Sequence, residues 1–421
     1  MIRSALPARS DARRLLLGTY MSALGTGMTL PFLYVYLHEV RRIDATLVGL
    51  VVAWMGALSL VLAGPWGSLM DRVGPRRVLL PLMVLGACGA GSWALVHHPW
   101  QAFVSGSLMA AAGSAVFSGS NTLLATLTSE EERQRVFGLS FALLNLGIGT
   151  GGVVSGFIAD VHHPASFRVL YTVDGVSWLL PAFILASMPS VGRALPRDHD
   201  AEPSGGYRTV FADRSFRRLF VFSLLLMSCG YAQIEVGLPA FATSVAHVST
   251  RVVAWALAAN TAVIVCGQLV MTARLQGRSR SRALAVAATV IALSWLILAV
   301  GGFGRHAGAA LPIAATVGCA SVFAFAETMF SPTLPALTNS LASDELRARY
   351  NAAGSLVWGI TSVVGPLTAA PLIGHGLAGV WVALIVAGSL GAAALALSLR
   401  RVLSPAQDGR SEHRALQTSP V

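Results

Sequence analysis

Three acids stand inside stretches of almost pure hydrocarbon: Glu327 in "AFAETMFSP", Glu235 in "YAQIEVGLP" and Asp174 in "YTVDGVSW". An ionisable side chain at the centre of a bilayer costs at least about 2.5–3.5 kcal/mol, so one found there is a functional signal. Such a carboxyl can load a proton from one side of a membrane and release it to the other. Glu327 and Glu235, the deeper two, are the proton-exchange candidates. The plain alternative for Glu327 is a neutral carboxyl bonded to Ser331 one turn away, and the shallower Asp174 reads mainly as that structural kind. A second cluster of charge fills one short turn, "GSLMDRVGPRR" (67–77), where Asp71, Arg72, Arg76 and Arg77 lie between one apolar run and the next. Polar residues at helical spacing add to these: Ser22, Thr26 and Thr29; Ser114, Ser118 and Asn121; Ser355, Trp358 and Ser362; and the amides Asn145 and Asn260. In lipid, which offers no partners, such groups turn to the protein interior, either lining a cavity or tying helices together. Thr26, Thr29, Asn121, Asn145, Asn260 and Trp358 are the substrate-cavity candidates.

Hydrocarbon must position all of these. Of 421 residues 54% are hydrophobic and 12% charged, against about 25% charged in a soluble domain. Apolar runs of about 20 residues, each able to cross about 30 Å of hydrocarbon, recur along the chain. The reading is an all-α membrane protein of twelve spans, from 15–37 to 377–399. The net charge is +11, and all 30 basic residues are arginine. Only Arg41, Arg42, Arg168, Arg251 and Arg305 fall in loops on one side. The rest gather on the side of both termini, which the positive-inside rule makes cytoplasmic. The basicity is therefore a topology signal, with attraction to the lipid bilayer as a side effect, and calls for no nucleic acid. Without lysine there is no phosphate-binding loop of the G-x-x-x-x-G-K-[ST] kind, so no nucleotide is expected. The four cysteines lie in apolar runs as packing residues. The histidines (His97-His98, His162-His163) read as surface groups, so neither metal nor cofactor is expected. A polytopic membrane enzyme or sensor is the disfavoured class.

The polar, Pro- and Gly-rich stretch at 190–215, with "PRDHDAEPSGG", is too hydrophilic for lipid and separates six spans from six. The division is then 1–189 as an N-terminal six-helix bundle, 190–215 as a cytoplasmic linker, 216–403 as a second six-helix bundle, and 404–421 as a disordered cytoplasmic tail. The halves repeat. "SEEERQR" at 129–135 returns as "SDELRAR" at 343–349, and Gly64, Gly74 and Arg77 return as Gly267, Gly277 and Arg280. Six-plus-six parallel repeats build one large class of secondary transporters, with the site at the repeat interface near midplane.

The turn after the second span, with Gly67, Asp71, Arg72, Gly74, Arg76 and Arg77, resembles the loop signature of the major facilitator superfamily, G-x-x-x-D-R-x-G-R-R. Pro75 departs from it at a position usually basic. A degenerate copy, "ARLQGRSR", follows the eighth span with Arg274 where Asp71 stands. The resemblance, which covers essentially the whole chain, implies that Asp71 docks near the start of the eleventh span and latches the two halves on the cytoplasmic side. "GIGTGGVVSG" (147–156) resembles the antiporter motif of family exporters at Gly147, Gly151 and Gly156, with Gly152 in place of proline and Ser155 in place of glycine. Small residues at this spacing equally serve close helix packing. The arginine that many proton-coupled exporters of the family carry in the fourth span is absent from "SGSLMAAAGSAVF" (105–117). What the resemblance implies is a secondary active transporter, working as a monomer in a bacterial inner (plasma) membrane. It would export small lipophilic compounds such as drugs or antibiotics by alternating access, driven by the proton gradient. Uptake or facilitated passage of a metabolite by the same machinery is the alternative.

Overall fold

Inside hydrocarbon every backbone N–H must find its partner within its own segment, and long apolar runs therefore become helices. The computed structural model describes residues 6–160, 163–193 and 206–410. Its helices are α1 (Ser10–Thr29), α2 (Ala45–Val73), α3 (Pro75–Ser92), α4 (Pro99–Leu127), α5 (Glu130–Ile158), α6 (Pro164–Ala186), the short α7 (Tyr207–Ala212), α8 (Arg214–Cys229), α9 (Tyr231–Glu235), α10 (Gly237–Ser244), α11 (Thr250–Leu275), α12 (Arg280–Phe303), α13 (Ala310–Leu341), α14 (Arg347–Gly374) and α15 (Ala378–Leu399). No strand occurs among the described residues. Starts are marked by polar side chains that take orphan N–H groups. Ser129 accepts from Glu132 at 3.3 Å to open α5, and Asp213 accepts from Ser215 and Phe216 to open α8.

Among the described residues, ten helices are long and apolar enough to cross a membrane, and an eleventh crossing exists if the bent α8–α10 stretch is one span. Twelve were expected. The first expected span, 15–37, is α1 followed by single turns of 3₁₀, α and π geometry from Leu30 to Val40. The seventh, read as continuous over 217–243, breaks at Gly230 and again at Val236, with a 47° bend.

The helices form two compact units. One is the chain up to Tyr207 together with Ala342–Gly359; the other is Arg208–Leu341 with the chain from Ile360 onward. The expected division put all of 216–403 together, but the opening turns of α14 pack with the first unit, where Ala348 joins a core of Met70, Leu79, Leu123 and Leu185. In the first unit α2 packs on α4, α3 on α4 and α6, and α1 on α6. The second repeats this: α11 on α13, α12 on α13 and α15, and α8 on α15. Duplication is thus visible in the pairing as well as in the loops.

It extends to the ends of the units. Arg76 N–H, at the start of α3, donates to the Gly192 carbonyl at 2.9 Å, and Arg280 N–H, at the start of α12, donates to the Asp408 carbonyl at 2.9 Å. Arg280 matches Arg76 in this role, one residue away from the Arg77–Arg280 alignment. Two expectations need correction here. The tail 404–421 is not disordered throughout: residues 404–410 fold back, and Asp408, fully buried, accepts from Ser281 N–H and the Ser279 hydroxyl, both at 2.8 Å. Its carboxylate meets the N-terminus of α12, where the dipole favours negative charge. Residues 411–421 lie outside the described residues. Nor is 190–215 wholly a linker, since α7 lies within it and residues 190–193 dock on α3; 194–205 also lie outside the described residues.

Candidate functional site

Asp71 ends α2 one turn before Gly74, whose φ of 89° suits a residue without Cβ. Its two oxygens accept the backbone N–H groups of Ala348 at 2.9 Å and Arg349 at 3.1 Å, and the Arg349 guanidinium stands 3.5 Å away. The carboxylate caps the first turn of α14 from far away in the chain, answering orphan donors, helix dipole and cation at once. The Asp71 side chain is 4% exposed and that of Arg349 7%. Tyr207 closes the arrangement. Its hydroxyl donates to the Gly64 carbonyl at 2.6 Å, and burial pushes its phenol up to about 12, so it stays a donor. Gly67 is required here, because a Cβ would strike Ala352 and the Tyr207 hydroxyl. Asn351 donates to Thr122 at 3.2 Å one turn further along α14. A polar cavity of about 700 Å³, lined by Asp71, Thr122, Arg133, Asp344 and Arg347 among others, opens beside the group.

The other arginines of the turn do different work. Arg76 reaches the carbonyls of Leu185, Ala186 and Met188 and thereby caps the C-terminus of α6, where a cation meets the negative end of the helix. Arg72 and Arg77 are exposed.

Of the acids in the spans, Glu327 is buried in α13 at 6% exposure. Its Oε2 accepts the Asn260 amide of α11 at 2.8 Å, and the Tyr231 hydroxyl of α9 hydrogen-bonds to it. The expected partner one turn away, Ser331, gives place to these two neighbours from other helices. Tyr231 packs between Phe323 and Phe330, its ring 5.5 Å from each. The side chain of Glu235, at the end of α9, lies outside the described residues. Asp174 accepts from the Thr29 hydroxyl at 2.8 Å and the Ser177 hydroxyl at 3.3 Å, tying α6 to α1.

The cavity candidates separate. Thr26 and Asn121 line a chamber of about 360 Å³ in the first unit, and Trp358 lines a second of about 370 Å³. Thr29 does not line either, because Asp174 takes its hydroxyl. Asn145 satisfies itself on the Phe141 carbonyl of its own helix at 3.0 Å, and Asn260 serves Glu327. In α5, a Cβ on Gly147 would meet the Tyr20 carbonyl at 2.7 Å and one on Gly151 would run into the Leu24 carbonyl and the Met28 nitrogen. These two permit the α1–α5 approach. Gly152 makes only an ordinary contact and Gly156 none, so neither of these two sets the α1–α5 approach.

Sequence reasoning missed Tyr207, Tyr231, Gln233 and Asp408. Gln233, on the one-turn helix α9, accepts from Trp381 Nε1 and donates to Thr368, both at 3.0 Å. The signal available was a glycine, Gly230, inside an apolar run, followed by three polar-capable residues within five positions.

A profile of the major facilitator superfamily matches residues 15–366. The chain belongs to the major facilitator superfamily. Among its relatives, the MFS-type transporter YqjV of Bacillus subtilis (strain 168) is 24% identical over 227 residues, 54% of this chain and 55% of the relative. The multidrug resistance protein MdtG of Dickeya zeae (strain Ech586) is 29% identical over 39% of this chain and 40% of its own length. A class C tetracycline resistance protein of Escherichia coli is 27% identical over 42% and 45%. The chain spans about half the length, or less, of the curated relatives it matches. Among solved structures, a bacterial homologue of the iron transporter ferroportin in an outward-facing state superposes with a TM-score of 0.75 at 15% identity, covering 93% of this chain and all of that one. The human organic anion transporter MFSD10 gives 0.69 at 16%, covering 95% and all of that chain. The fold is shared, and its long apolar helices mark this superfamily member as a multi-pass membrane protein.

Proposed function

We propose that this transporter is a proton-driven exporter of small lipophilic organic compounds, working as a monomer by alternating access in a bacterial plasma membrane. In this reading the chain crosses twelve times, with α1 and its irregular continuation as the first crossing and α8–α10 as the seventh. Both ends are then cytoplasmic, as the arginine distribution requires. Asp71 is the cytoplasmic latch: its grip on the first turn of α14 forms and breaks as access alternates. Export rather than uptake is favoured by the resistance proteins among the relatives.

The observation that carries the coupling is Glu327. It is an acid sunk in an apolar helix with an amide and a phenol, both uncharged, as partners. Ionised, it is an acceptor for both donors; protonated, it is a neutral group that can cross the cycle without dragging charge through lipid. Each proton it releases inward would accompany one cargo outward. In a pump-deficient bacterium, expression should lower accumulation of a lipophilic fluorescent dye, and a protonophore should abolish the difference. Glu327→Gln should accumulate dye as the empty host does. Lowered accumulation that persists with protonophore and in Glu327→Gln would overturn the reading.

A further inference from the structure

We infer that the cargo of the first unit's chambers is an uncharged, ring-bearing molecule that takes one hydrogen bond from Asn121. This rests on the export reading and adds to it the charge and shape of what is carried.

The two chambers, about 360 and 370 Å³, share Gly113, Phe117 and Leu144 in their walls. Each lies at the small end of the range for small-molecule sites, with room for a few rings. None of the described residues lining either chamber is Asp, Glu, Arg or His. The acid of this unit that could have served a cation, Asp174, stands one turn from the lining residue Trp178 on α6. It lines neither chamber, and its two oxygens accept the Thr29 and Ser177 hydroxyls. An ion entering here would shed its hydration and meet no counter-charge, which disfavours both cations and anions.

Two further observations shape the guest. Phe117 and Trp358 keep 50% and 43% of their surface open, and both line the second chamber, offering aromatic faces for offset stacking. Asn121, half-buried in the first chamber, has no hydrogen-bond partner among the described residues. Asn145 and Asn260, the other amides read as cavity candidates, are both bonded, Asn145 to Phe141 and Asn260 to Glu327 and the Ala320 carbonyl. An unpaired amide in an apolar wall is costly unless a guest answers it. A carbonyl, ether or hydroxyl on the cargo would do so.

The test uses the purified full-length protein in lipid nanodiscs and three matched naphthalenes, carrying a hydroxymethyl, a trimethylammoniomethyl or a carboxylate group, with affinities read by equilibrium dialysis. The alcohol should bind at least about tenfold more tightly than either ion. Asn121→Leu should weaken the alcohol about fivefold, the loss of one hydrogen bond. Asn121→Asp should bring the cation's affinity up toward that of the alcohol, which guards against a Leu variant that merely folds poorly. Either ion binding as tightly as the alcohol, or both Asn121 variants behaving as wild type, would overturn the inference. Binding needs no transport, so the two readings fail separately. Preference for the alcohol without export in cells would leave this inference standing and sink the proton-driven export. Export with preference for an ion would do the reverse.

Discussion

Asp71→Asn keeps the size of the side chain and removes its charge. In the wild type the carboxylate accepts the N–H groups of Ala348 and Arg349 and faces the Arg349 guanidinium at 3.5 Å. An amide retains one acceptor oxygen, and its NH₂ must point at the second N–H. One hydrogen bond to a charged group is lost, about 1.5–3 kcal/mol. The attraction to the α14 N-terminus, about 0.3–1 kcal/mol, goes with it. Arg349, its side chain only 7% exposed, also loses its counter-ion. A total near 3 kcal/mol moves the clasped-to-open equilibrium by about two orders of magnitude. Hydrogen–deuterium exchange reads this directly, because the Ala348 and Arg349 amides have no intrahelical acceptor to shelter them once Asp71 lets go. A peptide covering 344–352 should exchange about a hundredfold faster in Asp71→Asn, while peptides from α12, in the second unit, should not change. Unchanged exchange at 344–352 in a folded Asp71→Asn protein would refute the clasp and with it the latch.

Gly151→Val should lower the melting temperature in detergent, with a loss of about 1–3 kcal/mol or more, because its side chain enters the Leu24 backbone. Gly156→Val, where nothing stands within reach, should melt as wild type. Asp408→Ala strips the α12 N-terminus of an acceptor used by Ser279 and Ser281. It should cost about 1–3 kcal/mol, as leaving buried donors without their acceptor does, and speed trypsin cleavage at Arg278 and Arg280; unaltered cleavage would make the fold-back incidental.

The apolar runs announced the helices because in lipid length and hydropathy decide alone, with no competing strand to weigh. Where a single helix depends on its neighbours, the sequence was silent. Gly230 sits in a run that reads as continuous, and the break there is held from outside: the Ala232 carbonyl lies against Gly365, and Gln233 reaches Trp381 and Thr368. Asp71 was legible because its loop carries a dense, spaced signature, and its carboxylate lies against the first turn of α14. Asp408 was not, since one acid in a short polar tail looks like solvated chain until Ser279, 129 residues away, is found beside it. The stripe of Ser22, Thr26 and Thr29 identified an inward face of α1 correctly. Spacing alone could not divide it between a chamber at Thr26 and a tie to Asp174 at Thr29.

Proton coupling through Glu327 is open to a test in proteoliposomes, using whichever dye the cells extrude and an imposed pH gradient. The wild-type protein should drive the dye against its own gradient and move protons the opposite way. Glu327→Gln should still exchange dye for dye at equilibrium and ignore the pH gradient entirely. A Glu327→Gln protein that concentrates dye in response to the gradient as the wild type does would contradict the account.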